Sequence, residues 1–411
     1  MKKLFMMALM VLSATSMFAG DSAPLKTILS AKTYAEAEAA LKANLSQLVN
    51  DAEKAKAYNK LVDLAMAKVS KEDEERAKAQ ISGTTANVDE EGQYLALYNA
   101  VVNAIECEKY DVLPNEKGKV APKFHKKNQD RLYPRRVDLI NGGVFYQDKG
   151  DSEKQYQFLD LYVESASEPL FKDVANADDP NLGNIAFYSS YNALLKKDYD
   201  KAERYASMAL NDSVNGDNAY TVLLSSMQAQ LNSRQDSLDY VKKVEGMYAQ
   251  SKNGRLFDSL CGAYSAMDKT DELKQLIASR LAEDPNDWTA LAYRGQMFQT
   301  EKKWDDAIKD FELARKSEPE NVFLSAALGI SYMGKAGEVE EKMADANGNL
   351  SKDAVAARDA ELMKAIENFE KAKELDVREE QVRSWSYNLY RCYFIVYGED
   401  DPRTKSMEAM Q

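Results

Sequence analysis

The side chains that could carry chemistry are few. His125 is the only histidine in the 411-residue chain. One imidazole in a basic stretch leaves almost no room for a His-based nucleophile relay or a histidine-rich metal cluster. The metalloprotease pattern HExxH, the nucleophile elbow GxSxG, the phosphate-binding loop and GxGxxG are all absent. Acidic pairs are abundant, as in any acidic helical chain, and none stands out as a general acid/base couple. Cys107, Cys261 and Cys392 lie far apart, with no CxxC metal pair. They read as small buried hydrophobes, with room for one disulfide in an oxidising compartment. The sequence therefore predicts no catalytic residue, no cofactor and no metal ligand.

Two weaker signals are present. "DANGN" places Asp345, Asn347 and Asn349 like the first ligands of a calcium loop. Its glycine is misplaced, and Ala356 stands where the closing glutamate belongs, so an Asn-Gly turn between two extended helices is the expectation. Four Asp-Ser-apolar tripeptides begin at Asp21, Asp212, Asp236 and Asp258. They resemble an O-glycosylation signal of some bacterial periplasms, and those inside helices are poor candidates.

The remaining candidates concern binding. The stretch 110–136 holds eight basic residues, among them Lys117, Lys123, Lys126, Lys127 and Arg131, interleaved with Phe124 and Tyr133. It reads as a long loop, and loops beyond about 12–15 residues are uncommon unless functional or disordered. Lys123, Lys126, Lys127 and Arg131 are candidate contacts for an anionic partner; the competing reading is a solvated loop that neutralises an acidic surface.

Charge and address narrow the partners. The formal net charge is −13, from 54 basic and 67 acidic residues. Such a surface repels phosphate backbones and anionic lipid heads, so nucleic acid is excluded as an expected partner. Residues 1–19 read as a cleaved secretion signal: Lys2 and Lys3, an apolar run from Leu4 to Leu12, then small residues. The apolar run is too short for a membrane span, and no cysteine near the cut offers a lipid anchor. A periplasmic or secreted protein is expected.

These candidates must be positioned by helices. Gly and Pro are scarce, at 18 and 9 residues, whereas Ala, Leu, Glu and Lys are plentiful. Pro285 and Pro319 stand 34 residues apart, each closing a run with helical spacing. Before Pro319, Ala314, Phe311 and Ala307 share one helical face behind Trp304, and Phe298, Gly295 and Leu291 mark a facing helix. The preceding unit matches in step, with Phe257, Cys261, Tyr264, Leu273 and Ile277. An earlier unit covers about 183–216, and 217–253 is helical with a register slip of about three residues. A later unit carries Gly329, Ala365 and Phe369, with a 24-residue insertion at about 335–359. The pattern sets a small residue on the first helix against a small one on the second, Gly295 against Ala307; Leu273 breaks it and predicts a splayed pair. Arg135 to Pro169 reads as a decayed repeat with Gly142–Gly143 at the close approach and a turn at 148–152. Two amphipathic runs before residue 70 predict a hairpin, followed by another helix at 90–106.

These residues resemble the tetratricopeptide repeat (TPR) family, a 34-residue helix–turn–helix unit. The resemblance covers about half the chain. It implies an all-α, TPR-like α-solenoid of stacked antiparallel helix pairs, with divergent N-terminal helices at 20–182, repeats at 183–379 and a capping helix and tail at 380–411. It also implies a groove along the first helices. Carried over residue by residue, that groove holds Asn184, Phe187, Tyr191, Arg255, Asp258, Gln296 and Gln299. The family's lysine–asparagine clamp for a terminal carboxylate is missing, because Asp258 and Ala292 stand at the lysine positions. The expected function is a non-enzymatic scaffold of the cell envelope that binds a protein or peptide. The alternative is a carbohydrate- or nutrient-binding component of an outer-membrane uptake system. A hydrolase is a distant third.

Overall fold

Helix-forming composition and well-placed caps dominate the structure, a computed structural model that describes residues 20–114, 118–175, 179–408 and 410. The described residues are all-α, and their only β feature is an isolated bridge between Ala344 and Leu350. The secretion signal read at 1–19 lies outside the described residues, as does Lys117. The chain divides into two compact units, one running to Asn232 and one from Ser233 to Gln411.

In the first unit, α1 (Ala23–Ser30) and α2 (Tyr34–Asn44) pack beside α3 (Asp51–Ser82). A capping box starts α2: Thr33 accepts from the Glu36 amide while Glu36 reaches back to the Thr33 amide. The expected N-terminal hairpin is instead formed by α3 and α4 (Glu90–Asp111), because α3 runs on to residue 82. Then come α5 (His125–Leu132), α6 (Val137–Asp148), α7 (Ser152–Ser167), α8 (Lys172–Ala175), α9 (Leu182–Leu195), α10 (Tyr199–Ala209) and α11 (Gly216–Ala229).

The second unit comprises α12 (Arg234–Ser251), α13 (Gly254–Ala266), α14 (Thr270–Glu283), α15 (Trp288–Thr300), α16 (Trp304–Ser317), α17 (Val322–Met343), α18 (Lys352–Leu375), α19 (Val382–Tyr397) and α20 (Pro402–Glu408). The first helices α13, α15 and α17 begin at 254, 288 and 322, each 34 residues on, and α9 and α11 at 182 and 216 keep the same step. From α11 to α13 the step is 38, a slip of four rather than three, absorbed by the 18-residue α12. Helices α14 and α16 stop two residues before Pro285 and Pro319, since a residue preceding proline is pushed out of helical geometry. The arrangement is TPR-like.

Three helix pairs lock through a glycine beneath an aromatic ring. A Cβ on Gly295 would lie 2.8 Å from Phe311, on Gly329 2.6 Å from Phe369, and on Gly142 2.5 Å from Phe158. Partners are 16 residues apart in two pairs, 142 to 158 and 295 to 311; in the third, 329 to 369, the 24-residue insertion is added to the same 16. Thus Arg135–Pro169 is a full helix pair, and its Gly142–Gly143 is the close approach. Gly295 is covered by Phe311, not by Ala307 as the small-on-small pattern predicts. The glycine's role is to admit a ring, which fills more volume than a methyl group. Helices α13 and α14, with Leu273 and Ile277 between them, contact each other less extensively than α15 and α16, in keeping with a splayed pair.

The turns repeat as well. Gly150, Lys197, Asp268 and Lys302 have φ of 73°, 61°, 57° and 55°, each two residues before a second helix begins. Three of the four are not glycine and carry the cost of the left-handed region. The insertion is the expected pair of helix extensions. Its turn is held by Asp345, whose carboxylate accepts from the amides of Asn347 (2.9 Å) and Asn349 (2.8 Å), while Gly348 adopts a φ of 81°.

Candidate functional site

Helix α9 turns Ile185, Ala186, Ser189, Ser190 and Ala193 inward. Its other side repeats at Asn184, Tyr188, Tyr191 and Leu195, spacings of four, three and four that keep one face outward. Tyr188 is 53% exposed, Tyr191 50% and Leu195 64%. Phe187 is half-buried against the core, with its ring centroid 5.3 Å from that of Tyr188. At the start of the face, Asn184 accepts a hydrogen bond from the Asn215 side chain (2.9 Å), which also donates to Asp212. The result is a fixed amide followed by a rigid, exposed aromatic stripe. Aromatic side chains give large contact area at low conformational cost, the composition of interface anchors. Of the residues named from the sequence on α9, Asn184 and Tyr191 lie on this outward face, and Phe187 packs half-buried beside it. Tyr188 and Leu195 were missed, although helical spacing from Tyr191 would have found them.

The other four groove residues lie in the second unit, on two helices. Arg255 is exposed on α13. Asp258 is half-buried, and its Oδ1 has no hydrogen-bond partner among the described residues. Burial pushes its carboxyl above the usual aspartate range, against the pull of Arg255 and Arg280. The Tyr293 hydroxyl donates to the Asp258 carbonyl (3.4 Å), and burial raises that hydroxyl strongly. Gln296 and Gln299 line one open groove of about 600 Å³ with Ser265, Leu273, Tyr293 and Met297. Arg255 and Asp258 do not line it. Gln299 is itself engaged: its Nε2 donates to the Ala327 carbonyl (2.9 Å) and the Ser331 hydroxyl (2.8 Å), bridging α15 to α17. Only Gln296 is a freely exposed amide there.

The basic stretch is not one long loop. Residues 125–132 are α5, and Asp111 at the end of α4 accepts from the amides of Lys123 (2.9 Å), Phe124 (2.6 Å) and His125 (3.0 Å), capping the helix start. Lys127 and Arg131 both hold Asp63, at 3.0 and 2.7 Å. Arg135 holds Asp73 and Asp138, and Lys126 holds Asp130. Arg136 is buried against Asp179 (3.0 Å) and the Tyr162 ring, 4.7 Å from its centroid. Lys123 and Lys126 remain on the surface. Most of this positive charge therefore binds the protein's own carboxylates.

His125 sits against a buried carboxylate. Its Nδ1 meets Glu108 Oε1 at 2.7 Å, and burial raises the Glu108 carboxyl. Cys107 is buried, donates to the Ala55 carbonyl (3.3 Å) and has a thiol pushed up by burial. All three cysteines are free and buried. Among the described residues, no three His, Cys, Asp or Glu side chains are grouped to hold a metal ion, and no helix is long and apolar enough to cross a membrane. Of the Asp-Ser-apolar serines, Ser22 caps α1, and Ser237 and Ser259 sit in α12 and α13; Ser213 is exposed in the turn before α11.

No protein-family model matches this chain, and no curated protein matches it. Solved structures do. A monomeric mutant of IFIT1 bound to Gppp-AAAA is 15% identical, with a TM-score of 0.42 over 82% of this chain and 72% of its own. A TPR repeats protein from Bacteroides fragilis is 16% identical, with a TM-score of 0.26 over 67% of this chain and 99% of its own. The MamA protein is 18% identical, with a TM-score of 0.31 over 48% of this chain and 97% of its own.

Proposed function

We propose that this protein is a non-enzymatic interaction scaffold that holds a protein or peptide partner on exposed faces of its first helices. The observation that carries this reading is the α9 face, where Tyr188, Tyr191 and Leu195 stand side by side in solvent. Contiguous exposed apolar surface on a folded domain marks an interaction site. A flat aromatic stripe on a rigid helix suits shape-complementary contact and offers no enclosed space for a reaction. The leader read at 1–19 adds the location: export to the periplasm or cell envelope.

The test is crosslinking in intact cells followed by mass spectrometry, with wild type beside Tyr188→Ala/Tyr191→Ala. Loss of one specific crosslinked partner from the double variant, at unchanged melting temperature, supports the reading. Unchanged recovery removes α9 as the site. Charge reversal at Lys123, Lys126 and Lys127 in the same experiment asks whether the basic segment contributes. The carbohydrate-binding alternative is weaker: Trp385 is buried and bonded to Asp376, and Trp304 packs over Gly334. Specific sugar binding on a glycan array, lost on Tyr191→Ala, would restore it.

A further inference from the structure

Helix α19 presents a second face of different chemistry. It buries Trp385, Leu389, Cys392 and Tyr393 against its neighbours. Its opposite side repeats at Arg383, Tyr387, Arg391 and Phe394, spacings of four, four and three that keep one face outward, with Tyr390 half-buried at its edge against the core. Tyr387 is 57% exposed, Phe394 44% and the flanking Ile395 37%. The Tyr390 and Phe394 rings lie against each other, with centroids 6.2 Å apart. Arg383 and Arg391 are exposed, and neither has an ion-pair partner among the described residues. This contrasts with Arg131, Arg135 and Arg136, which are all engaged internally. Two free guanidinium groups bracketing aromatic rings, in a chain of net charge −13, are an exception to its electrostatics.

We propose that this face docks a helical segment of another protein that carries two carboxylates about two turns apart, with apolar side chains between them. Arg383 and Arg391 are eight residues apart, hence about 12 Å along the axis, a spacing that matches carboxylates at i and i+7 or i+8 on a partner helix. Arginine forks take carboxylates in bidentate geometry, the Tyr387 and Tyr390 rings supply apolar contact between the forks, and Phe394 extends that contact one turn past Arg391. Charge sets the identity of the occupant. A two-fold pairing of copies centred on Tyr387 would bring Arg383 against Arg391 across the axis, like charge on like. A membrane or polyphosphate would press many negative charges on the surrounding acidic surface, whereas a partner helix need bring only the two carboxylates that the guanidinium groups take. Arg383 and Tyr387 line a cleft of about 490 Å³ together with Glu379 and Glu380, so Arg391, with no carboxylate in that cleft beside it, holds its partner carboxylate the more strongly of the two forks.

The proposal goes beyond the α9 reading and is tested separately. The full chain is titrated, by fluorescence anisotropy, against a labelled alanine-rich helical peptide with two glutamates two turns apart flanking leucines. The same peptide with lysines replacing the glutamates is the control. The expected result is binding of the glutamate peptide that weakens at least ~10-fold on Arg391→Glu, and likewise on Tyr387→Ala/Phe394→Ala, equivalent to ~1.4 kcal/mol each. Rising salt weakens it too. Tyr188→Ala/Tyr191→Ala leaves it unchanged. Equal binding of the lysine peptide, no binding of either, or insensitivity to the α19 substitutions overturns the proposal. So does concentration-dependent dimerisation that Arg391→Glu abolishes, since a second copy would then be the occupant. Circular dichroism of each variant confirms that these exposed positions leave the fold intact.

Discussion

Adding one methyl group at Gly295 should destabilise the protein, whereas the same change at Gly262 should stabilise it. A Cβ at Gly295 would stand 2.8 Å from Cζ and 2.9 Å from Cε1 of Phe311, where ordinary contact begins at 3.4 Å. The ring must retreat by 0.6 Å, the difference between 3.4 and 2.8 Å. Phe311 is fully buried, with Phe323 beside it at a 6.4 Å centroid separation, so retreat displaces packed neighbours. Overpacking of this kind costs about 1–3 kcal/mol. The gain in helix propensity from Gly to Ala returns up to about 1 kcal/mol, leaving a net loss of about 0–2 kcal/mol. Gly262 lies mid-helix in α13 with nothing within 4 Å of its virtual Cβ; there only the propensity gain of up to about 1 kcal/mol applies. The assay is denaturant unfolding of the full chain by circular dichroism, with hydrogen exchange over α15 and α16 to localise the change. In a Phe311→Leu background the ring is gone, and Gly295→Ala should become stabilising, like Gly262→Ala. If Gly295→Ala stabilises the wild type as much as Gly262→Ala does, the glycine–ring lock is wrong. An unchanged penalty in the Phe311→Leu background would equally refute it.

The left-handed turns predict that Lys302→Gly raises stability by about 1 kcal/mol and Gly150→Ala lowers it by a similar amount, read from unfolding midpoints. Hydrogen bonds from the Asn349 and Asn347 amides, then from the Asn349 side chain, hold the Asp345 carboxyl below its usual range. Its contribution is thus present above the ordinary aspartate value of about 3.9 and is lost as pH falls through the depressed one. Amide exchange in the 345–349 turn should accelerate over that acid window, and Asp345→Asn should show the acceleration already at neutral pH. Burial raises all three thiols, that of Cys392 to about 12. Native protein should therefore react with a disulfide reagent far more slowly than protein in denaturant, where all three respond. Fast reaction in the native state would contradict their burial. Gln299→Ala removes the side-chain bridge from α15 to the Ala327 carbonyl and the Ser331 hydroxyl and should cost about 1–2 kcal/mol, measured in the same unfolding assay.

The helices, their 34-residue step and the positions of the second-helix turns follow from local rules acting on short spans: apolar spacing, caps, and prolines such as Pro285 and Pro319 that stop a helix within two residues. That is why the extended helices on either side of Asp345 and the close approach at Gly142 could be anticipated from the residues alone. Which side chain fills the space over Gly295 could not, because Ala307 and Phe311 lie one turn apart on the same helical face and periodicity does not rank them. Only the packed geometry places the ring. Surface chemistry was the least legible. Arg131 and Lys123 read alike in a basic run, yet one is drawn onto Asp63, 68 residues earlier, and the other stays in solvent. Gln299 and Gln296 read alike as groove amides, yet α17 claims the first. Residues 380–411 read as a capping helix and tail, yet α19 turns Tyr387 and Phe394 outward while Trp385 takes the core. The sequence by itself determined an all-α chain of paired helices. Tertiary structure alone decided which charges, amides and rings are left free to meet a partner, because exposure depends on neighbours distant in sequence, whereas helix formation depends on residues within a turn or two.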